Sequence, residues 1–307
     1  MVLSPVDKEA VRLRILLLGA NGQLGSVLQK VLSSVGELKA CNRDQADLAD
    51  TAALIKTIDA FKPDCLINAA AYTAVDDAEN ASDLAFKINA EAVAVLAEAA
   101  ERHNAWLIHY STDYVFDGRK TAPYTEMDSP NPIGVYGQSK LAGEQAISNS
   151  GCKYLIFRTS WVIGQHGSNF AKTILRLALA KESLKVINDQ HGVPTTPDLI
   201  ARVTAAALAA INIIPWTAGI YHLAPLGQTT WYAIAQTLLT LAKKQQLPLV
   251  ADAQSLHPVT TAEYPTLAQR PLNSLLNTGK LQQQLNFSLP HWKEDFLVVA
   301  KQIIKGL

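Results

Sequence analysis

Arg14-Ile-Leu-Leu-Leu-Gly-Ala-Asn-Gly-Gln-Leu-Gly25 decides how the rest of the chain is read. The apolar run Ile15 to Leu18 ends in a glycine. Such a run suits a strand covered on both faces, as in a parallel sheet. Past the glycines, Leu24, Val27, Leu28 and Val31 recur at helical spacing. A strand, a glycine turn and a helix, in that order, are the parts of a phosphate-cradling βαβ unit. Gly19 permits the tight turn, Gly22 lets the backbone approach a pyrophosphate, and Gly25 permits close helix–strand packing. The helix start then offers free amides and a positive dipole end. The spacing is G-x-x-G-x-x-G rather than G-x-G-x-x-G. The flanking strand and helix therefore carry this reading, against that of a turn that merely connects.

Outward from this unit the alternation repeats. Strands are expected at Leu38–Cys41, Cys65–Asn68, Trp106–Tyr110 and Tyr154–Arg158. Helices are expected at Thr51–Phe61, Glu79–His103 and Tyr136–Ser148. The fold class is α/β, a doubly wound parallel sheet of Rossmann type. After Trp161 the regularity fades and proline becomes frequent, with helices at Asn169–Ala180, Pro197–Ile211 and Trp231–Lys243. Residues 13–160 are expected to form an NAD(P)-binding domain. Residues 161–307 are expected to form a smaller, mixed substrate lobe, some of whose segments return to the first domain.

Bulk composition narrows the partners. The 307 residues carry 27 basic and 27 acidic side chains, with 49% apolar residues. Without concentrated positive charge, a nucleic-acid backbone is not the expected partner, whereas a small anion needs only a few amides and one or two cations. No apolar stretch reaches the 18 residues of a membrane span, and Met1–Arg12 carries no signal-peptide core and reads as a poorly ordered lead. Three irregularly spaced cysteines, Cys41, Cys65 and Cys152, form neither a disulfide framework nor a zinc pattern. Buried free thiols in a cytoplasmic protein fit.

Two segments bear on the cofactor. An acid roughly 20 residues past the glycines would bind the ribose diol of NAD. Here that neighbourhood reads Cys41-Asn42-Arg43-Asp44. Asn42 stands in place of the acid, and Arg43 either pairs a 2′-phosphate or is a solvated surface arginine. This favours NADPH, or use of both cofactors. With the register moved by a residue or two, Asp44 takes the diol instead. Asp47 and Leu48 fall near the adenine, and the alanines of Asn68-Ala-Ala-Ala-Tyr-Thr73 leave room for a flat ring. Close packing of small side chains is the competing reading.

The sharpest chemical signal is Tyr136-Gly-Gln-Ser-Lys140. Residues four apart share a helix face. A ketone that accepts hydride also needs a proton on its oxygen. A neighbouring ammonium favours phenolate, and so is expected to bring the phenol's pKa down towards neutrality. Tyr110-Ser-Thr112-Asp113-Tyr114 ends the fourth strand, where open α/β sheets bind ligands. That puts Ser111 or Thr112 beside the carbonyl oxygen. Arg270 meets either a substrate diphosphate or a surface carboxylate. His109, His191 and His222 lack metal-ligand spacing and read as structural.

At these residues the chain resembles the extended short-chain dehydrogenases. Ser111-Thr-Asp-Tyr-Val-Phe-Asp-Gly118, Phe157-Arg-Thr-Ser-Trp161, Ile187-Asn-Asp-Gln-His-Gly192 and Arg270-Pro271 are similar, within them, to the dTDP-4-dehydrorhamnose reductase family. The resemblance implies NAD(P)H-dependent reduction of a dTDP-linked 4-keto sugar. Tyr136 would donate the proton, and Lys140 would hold the cofactor ribose. Gly22, Gln23, Leu24, Ala71, Thr73 and Tyr110 would line the cofactor. Thr112 and Asp113 would contact the sugar carbonyl, and Trp161 would pack on the substrate. Some relatives dimerise through magnesium held by glutamates. This chain has Val27 where one would fall and Asp198 near the other. Valine offers no oxygen, so no metal ligand is expected, and the chain is read as a monomer or homodimer. The alternatives are an epimerase or dehydratase on another nucleotide sugar, and a non-catalytic regulatory subunit on the same scaffold.

Overall fold

The computed structural model describes residues 12–211 and 217–307, so the expected lead lies outside the described residues except for Arg12. The chain opens with β1 (Leu13–Leu18), α1 (Gly25–Leu32), β2 (Gly36–Cys41), α2 (Thr51–Phe61) and β3 (Cys65–Asn68). The Asp50 side chain caps α2, accepting from Ala53 N at 3.0 Å. Lys62, left-handed at φ 51°, ends that helix before Pro63.

The single helix expected over Glu79–His103 is instead α3 (Val75–Ala78), α4 (Ser82–Phe86), a π turn (Lys87–Glu91) and α5 (Ala92–Arg102). Alanine-rich propensity reads as continuous helix, but Ala81 leaves helical geometry at φ −125°, ψ 44°. The π turn then makes room for Asn89, whose amide is buried and fully used. Its Oδ1 accepts from Tyr72 N at 2.9 Å, and its Nδ2 donates to Tyr72 O and Ser139 Oγ, both at 3.0 Å. Tertiary hydrogen bonds override the local preference there.

β4 (Trp106–Thr112), α6 (Val135–Asn149) and β5 (Lys153–Thr159) follow. The second half holds α7 (Phe170–Ala178), β6 (Leu184–Ile187), β7 (His191–Gly192) and α8 (Pro197–Ala210). After these come β8 (Gly219–His222), β9 (Thr229–Thr230), α9 (Trp231–Lys244) and β10 (Leu256–Val259). The last helices are α10 (Gly279–Leu285) and α11 (Trp292–Lys305).

The main sheet has the order β2-β1-β3-β4-β5-β8, with every pairing parallel. Helices cover both faces, as the apolar strands require. On one, Leu28, Leu32, Leu199, Val203 and Leu281 meet Ile15, Leu17 and Phe157. On the other, Leu54, Ile58, Leu96 and Ile147 meet Leu16, Leu18 and Ile156. A third core, with Leu175, Leu238 and Phe296, lies in the second half. β8 is unexpected from sequence. Four residues, Gly-Ile-Tyr-His, carry too little periodicity, and only their pairing with β5 defines them as a strand. The chain order changes direction between β1 and β3, the topological switch point where ligands of such sheets bind.

Candidate active site

At that switch point the glycine turn meets the loop after β3. Gly19 has φ +80°, and a Cβ there would lie 2.7 Å from Ala70 N and 2.8 Å from Ala69 C. At Gly25 a Cβ would come within 2.0 Å of Gly19 O, so helix and turn touch backbone to backbone. At Gly22 a Cβ would meet only Gly19 O, at 3.3 Å, which leaves its outer side open. No side chain caps the start of α1. Free amides beside an open glycine suit a pyrophosphate, so the residues present fit a dinucleotide. Gln23 turns away from the turn: its Oε1 accepts from Gly164 N at 3.1 Å and from Asn169 Nδ2 at 3.0 Å. It joins the turn to the second half of the chain. Leu24 occupies the N-cap position of α1.

The segment after β2 is close by, since Ala20 N donates to Cys41 O at 3.0 Å. Asn42 and Gln45 bond reciprocally, at 3.0 and 3.1 Å. Arg43 is 76% exposed and pairs with Asp47 at 3.3 Å. Asp47 also accepts from Ala49 N, and that bond, followed by Arg43, holds its carboxyl below the ordinary range. Leu48 is buried in the core with Cys41 and Leu54, so its side chain serves packing. Ala71 is half-buried and Thr73 exposed, on the loop that Asn89 clamps at Tyr72.

Tyr136 and Lys140 both point inward from α6. The Tyr136 phenol lies near Thr112, which opposes the shift, yet burial pushes that phenol up to about 12, with the nearby Asp113 carboxylate adding to the rise. The expected lowering by Lys140 is therefore not what the structure shows. Lys140 Nζ sits 2.7 Å from Tyr110 O and 3.0 Å from His109 Nε2 instead. Burial pulls the lysine down to about 8, with Glu144 opposing. Desolvation is the main cause at both groups.

Thr112 Oγ1 donates to Asp113 Oδ1 at 3.1 Å. Asp113 is buried, and burial raises its carboxyl to about 6 against the hydroxyls of Ser274 and Thr112. Ser274 is near enough to act on it, but Asp113 Oδ2 makes no well-formed hydrogen bond. Neither does the buried Ser111 hydroxyl. The Tyr110 phenol points away from α6, to Thr204 on α8 at 2.8 Å, so its ring pins the sheet to that helix. Cys41, Cys65 and Cys152 are free and buried.

A profile described as the RmlD substrate binding domain matches residues 13–304. The dTDP-4-dehydrorhamnose reductase of Escherichia coli K12 is 46% identical over 285 residues, spanning 92% of this chain and 95% of that protein. The chain belongs to the dTDP-4-dehydrorhamnose reductase family. The Bacillus anthracis dTDP-4-dehydrorhamnose reductase, solved in complex with NADP, superposes with a TM-score of 0.86 at 32% identity, covering 94% of this chain and 98% of that one. A dTDP-glucose 4,6-dehydratase from Streptomyces venezuelae shares the fold at 18% identity, with a TM-score of 0.78 over 95% of this chain and 97% of the other.

Trp161, expected on the substrate by likeness to this reductase family, and Arg270, read as meeting either a diphosphate or a surface carboxylate, have protein partners in the structure. Trp161, left-handed at φ 46°, stacks on Trp231 with centroids 3.8 Å apart. It also lies against Gly192, where a Cβ would sit 2.6 Å from the indole. A non-glycine residue at positive φ stores strain of about 1–3 kcal/mol. Arg270 pairs with Asp76 at 2.7 Å, and Ala268 N donates to the same carboxylate at 3.1 Å.

Sequence reasoning missed the residues that hold α6 in place. Glu79 Oε1 accepts from Val135 N at 2.9 Å, at the amino end of that helix. Glu144 takes Arg158 in a buried fork at 2.9 and 2.6 Å. Arg158 at the end of an apolar strand was the only signal of this pair, and nothing in the pattern named its acid. Val27 and Asp198 stand as the sequence has them, and the described residues contain no group of three or more side chains able to hold a metal. Among the described residues no helix is long and apolar enough to cross a membrane.

Proposed function

We propose that this chain reduces dTDP-4-dehydro-L-rhamnose to dTDP-L-rhamnose with NADPH or NADH. The observation that carries the reading is the convergence of Tyr136, half-buried on α6, with Thr112 and Asp113 at the end of β4, where burial keeps the phenol protonated. A reduced dinucleotide held by its pyrophosphate at the glycine turn would supply the hydride for C4 of the sugar. Tyr136 gives its phenolic proton to the sugar O4: the Oη–H bond breaks, an O4–H bond forms, and the resulting phenolate regains a proton from water. A phenol held neutral suits this direction, since an alkoxide is the stronger base. Thr112 orients the carbonyl, and Asp113 contacts the sugar. Lys140 donates to the cofactor ribose, and Trp161 packs on the substrate. Arg270 engages one NH2 with Asp76 and keeps other donors for the diphosphate.

Gly19, Gly22, Gln23, Leu24, Asn42, Arg43, Asp47, Ala71 and Thr73 form the cofactor side, to which Leu48 and Tyr110 bring only backbone, their side chains being taken by packing and by Thr204. In this reading residues 13–160, completed by β8, α8 and α10, make the dinucleotide unit. The remainder of 161–307 makes the substrate lobe. The protein works in the cytoplasm as a monomer or homodimer, without magnesium. The assay is oxidation of NADH and NADPH, run in parallel, with dTDP-4-dehydro-L-rhamnose as substrate. Tyr136→Phe is expected to lose turnover by roughly 10²–10⁴-fold while binding NADPH as the parent does. Unchanged turnover in that variant, or no oxidation by the parent chain, overturns the reading.

A further inference from the structure

The hydrogen-bond polarity around Lys140 leads further, on the reading that this lysine serves the reductase site. Ala70 N can only donate, and it donates to the Asn68 side chain at 3.1 Å. The atom accepting it is therefore Oδ1, which leaves the amide NH2 to face His109 Nδ1 at 3.2 Å. An NH2 group can only donate, so Nδ1 accepts. A neutral imidazole that accepts at one nitrogen carries its proton on the other. That other nitrogen, Nε2, lies 3.0 Å from Lys140 Nζ. An ammonium has no lone pair to receive an N–H. A free amine has one, and still donates to Tyr110 O at 2.7 Å.

We propose that His109 is a positioning residue whose Nε2–H, aimed by Asn68, donates to the free-amine form of Lys140 and so lowers that lysine's affinity for a proton. Placing an ammonium at Nζ would need the proton on Nδ1 instead. The Asn68 amide would then have to turn over, which sets its NH2 against the Ala70 N–H. The protonation of Lys140 is thereby tied to the backbone of the loop that follows β3, the same loop that meets Gly19. An imidazolium is no escape, because it would set a second N–H against the Asn68 NH2, and burial holds His109 well below its ordinary range. Few charged or titratable groups face the pair. Glu144 lies one turn along α6 and is closed by Arg158 of β5, Tyr136 lies one turn before, and Asn68 of β3 with Asn89 of the π turn are neutral. The downward pull on Lys140 agrees, burial being its main cause and Glu144 opposing.

The test is magnetic resonance on the full chain and needs no turnover. In protein carrying 15N-labelled histidine, His109 is assigned by the signal missing from His109→Gln. At a pH above about 8, where the amine is free, it is expected to show Nε2 protonated and Nδ1 bare, and the reverse tautomer overturns the proposal. In a second measurement, the 13Cε signal of Lys140, assigned with Lys140→Met, is titrated in the parent and in His109→Leu. Removing a donor to the amine should raise the lysine pKa by about one unit, a tenfold gain in proton affinity, and His109→Gln should return it towards the parent. An unchanged or lowered value in His109→Leu means that the imidazole accepts or is only packing, and overturns the proposal. Should His109→Leu fail to fold, the tautomer decides. Failure of the keto-sugar assay would sink the reductase reading and leave both measurements standing.

Discussion

Asp113 shows how one buried side chain sets a pH dependence. Its carboxyl rises from 3.8 to about 6 on folding, chiefly by burial. A raised folded value means that the native state binds this proton more tightly than the unfolded chain does. The stabilisation is therefore complete below the unfolded value and is lost as pH climbs through about 6. Asp113→Asn keeps an acceptor for Thr112 and removes the buried charge. Its thermal midpoint is expected to exceed the parent's at pH 7–8, by the equivalent of up to about 3 kcal/mol, with the gain gone near pH 4. Equal midpoints across that range would mean that Asp113 finds a compensating partner. The Glu144–Arg158 pair behaves differently, since each buried charge is answered at 2.6–2.9 Å. Removing either member alone strands the other.

At the scale of elements, α6 is the organising part. It carries Tyr136 and Lys140 and is fixed by Glu79 at its start and Glu144 within it. It lies so close to the π turn that a Cβ at Gly143 would stand 2.1 Å from Asn89 O. Elsewhere in a helix, glycine to alanine is stabilising by up to about 1 kcal/mol. Here the sign reverses, because Asn89 is clamped on Tyr72 and Ser139 and cannot give way. Gly143→Ala is expected to lose about 2 kcal/mol or more in chemical denaturation, with reduced turnover as α6 shifts. A gain in stability would show that the contact relaxes. The opening β-turn-α unit, α2 and the first five strands were legible because their signals are local: apolar runs, helical spacing and the glycine turn. The break at Ala81 and the π turn were not, because alanine favours helix and the reason for departing from it is an amide bonded across to another loop.

Across the whole molecule, the six-stranded sheet and its covering helices are not a contiguous piece of chain. β8 pairs with β5, and Leu199, Val203 and Leu281 close one face of the sheet. A fragment ending at residue 160 would leave β5 as a bare edge and that face open to water. Such a fragment, residues 12–160, is expected to aggregate or melt without a cooperative transition, whereas the full chain unfolds cooperatively. A sharp, reversible transition in the fragment would show that the first half is sufficient. The Gln23 bridge to Gly164 and Asn169 and the Trp161–Trp231 stack also depend on segments distant in sequence.

By itself the sequence determined the parallel α/β sheet, the glycine turn at its switch point and the shared helix face of Tyr136 and Lys140. Strand and helix periods and turn chemistry are written within a few neighbouring residues, so they can be read without the rest of the chain. Only the tertiary structure decided that Lys140 meets His109 and not the phenol, that Glu144 answers Arg158, and that burial raises Tyr136 where a bare Tyr–Lys pair suggested the opposite. Those outcomes turn on which polar atoms are left without water, and that is set by strands and helices brought together from far along the chain.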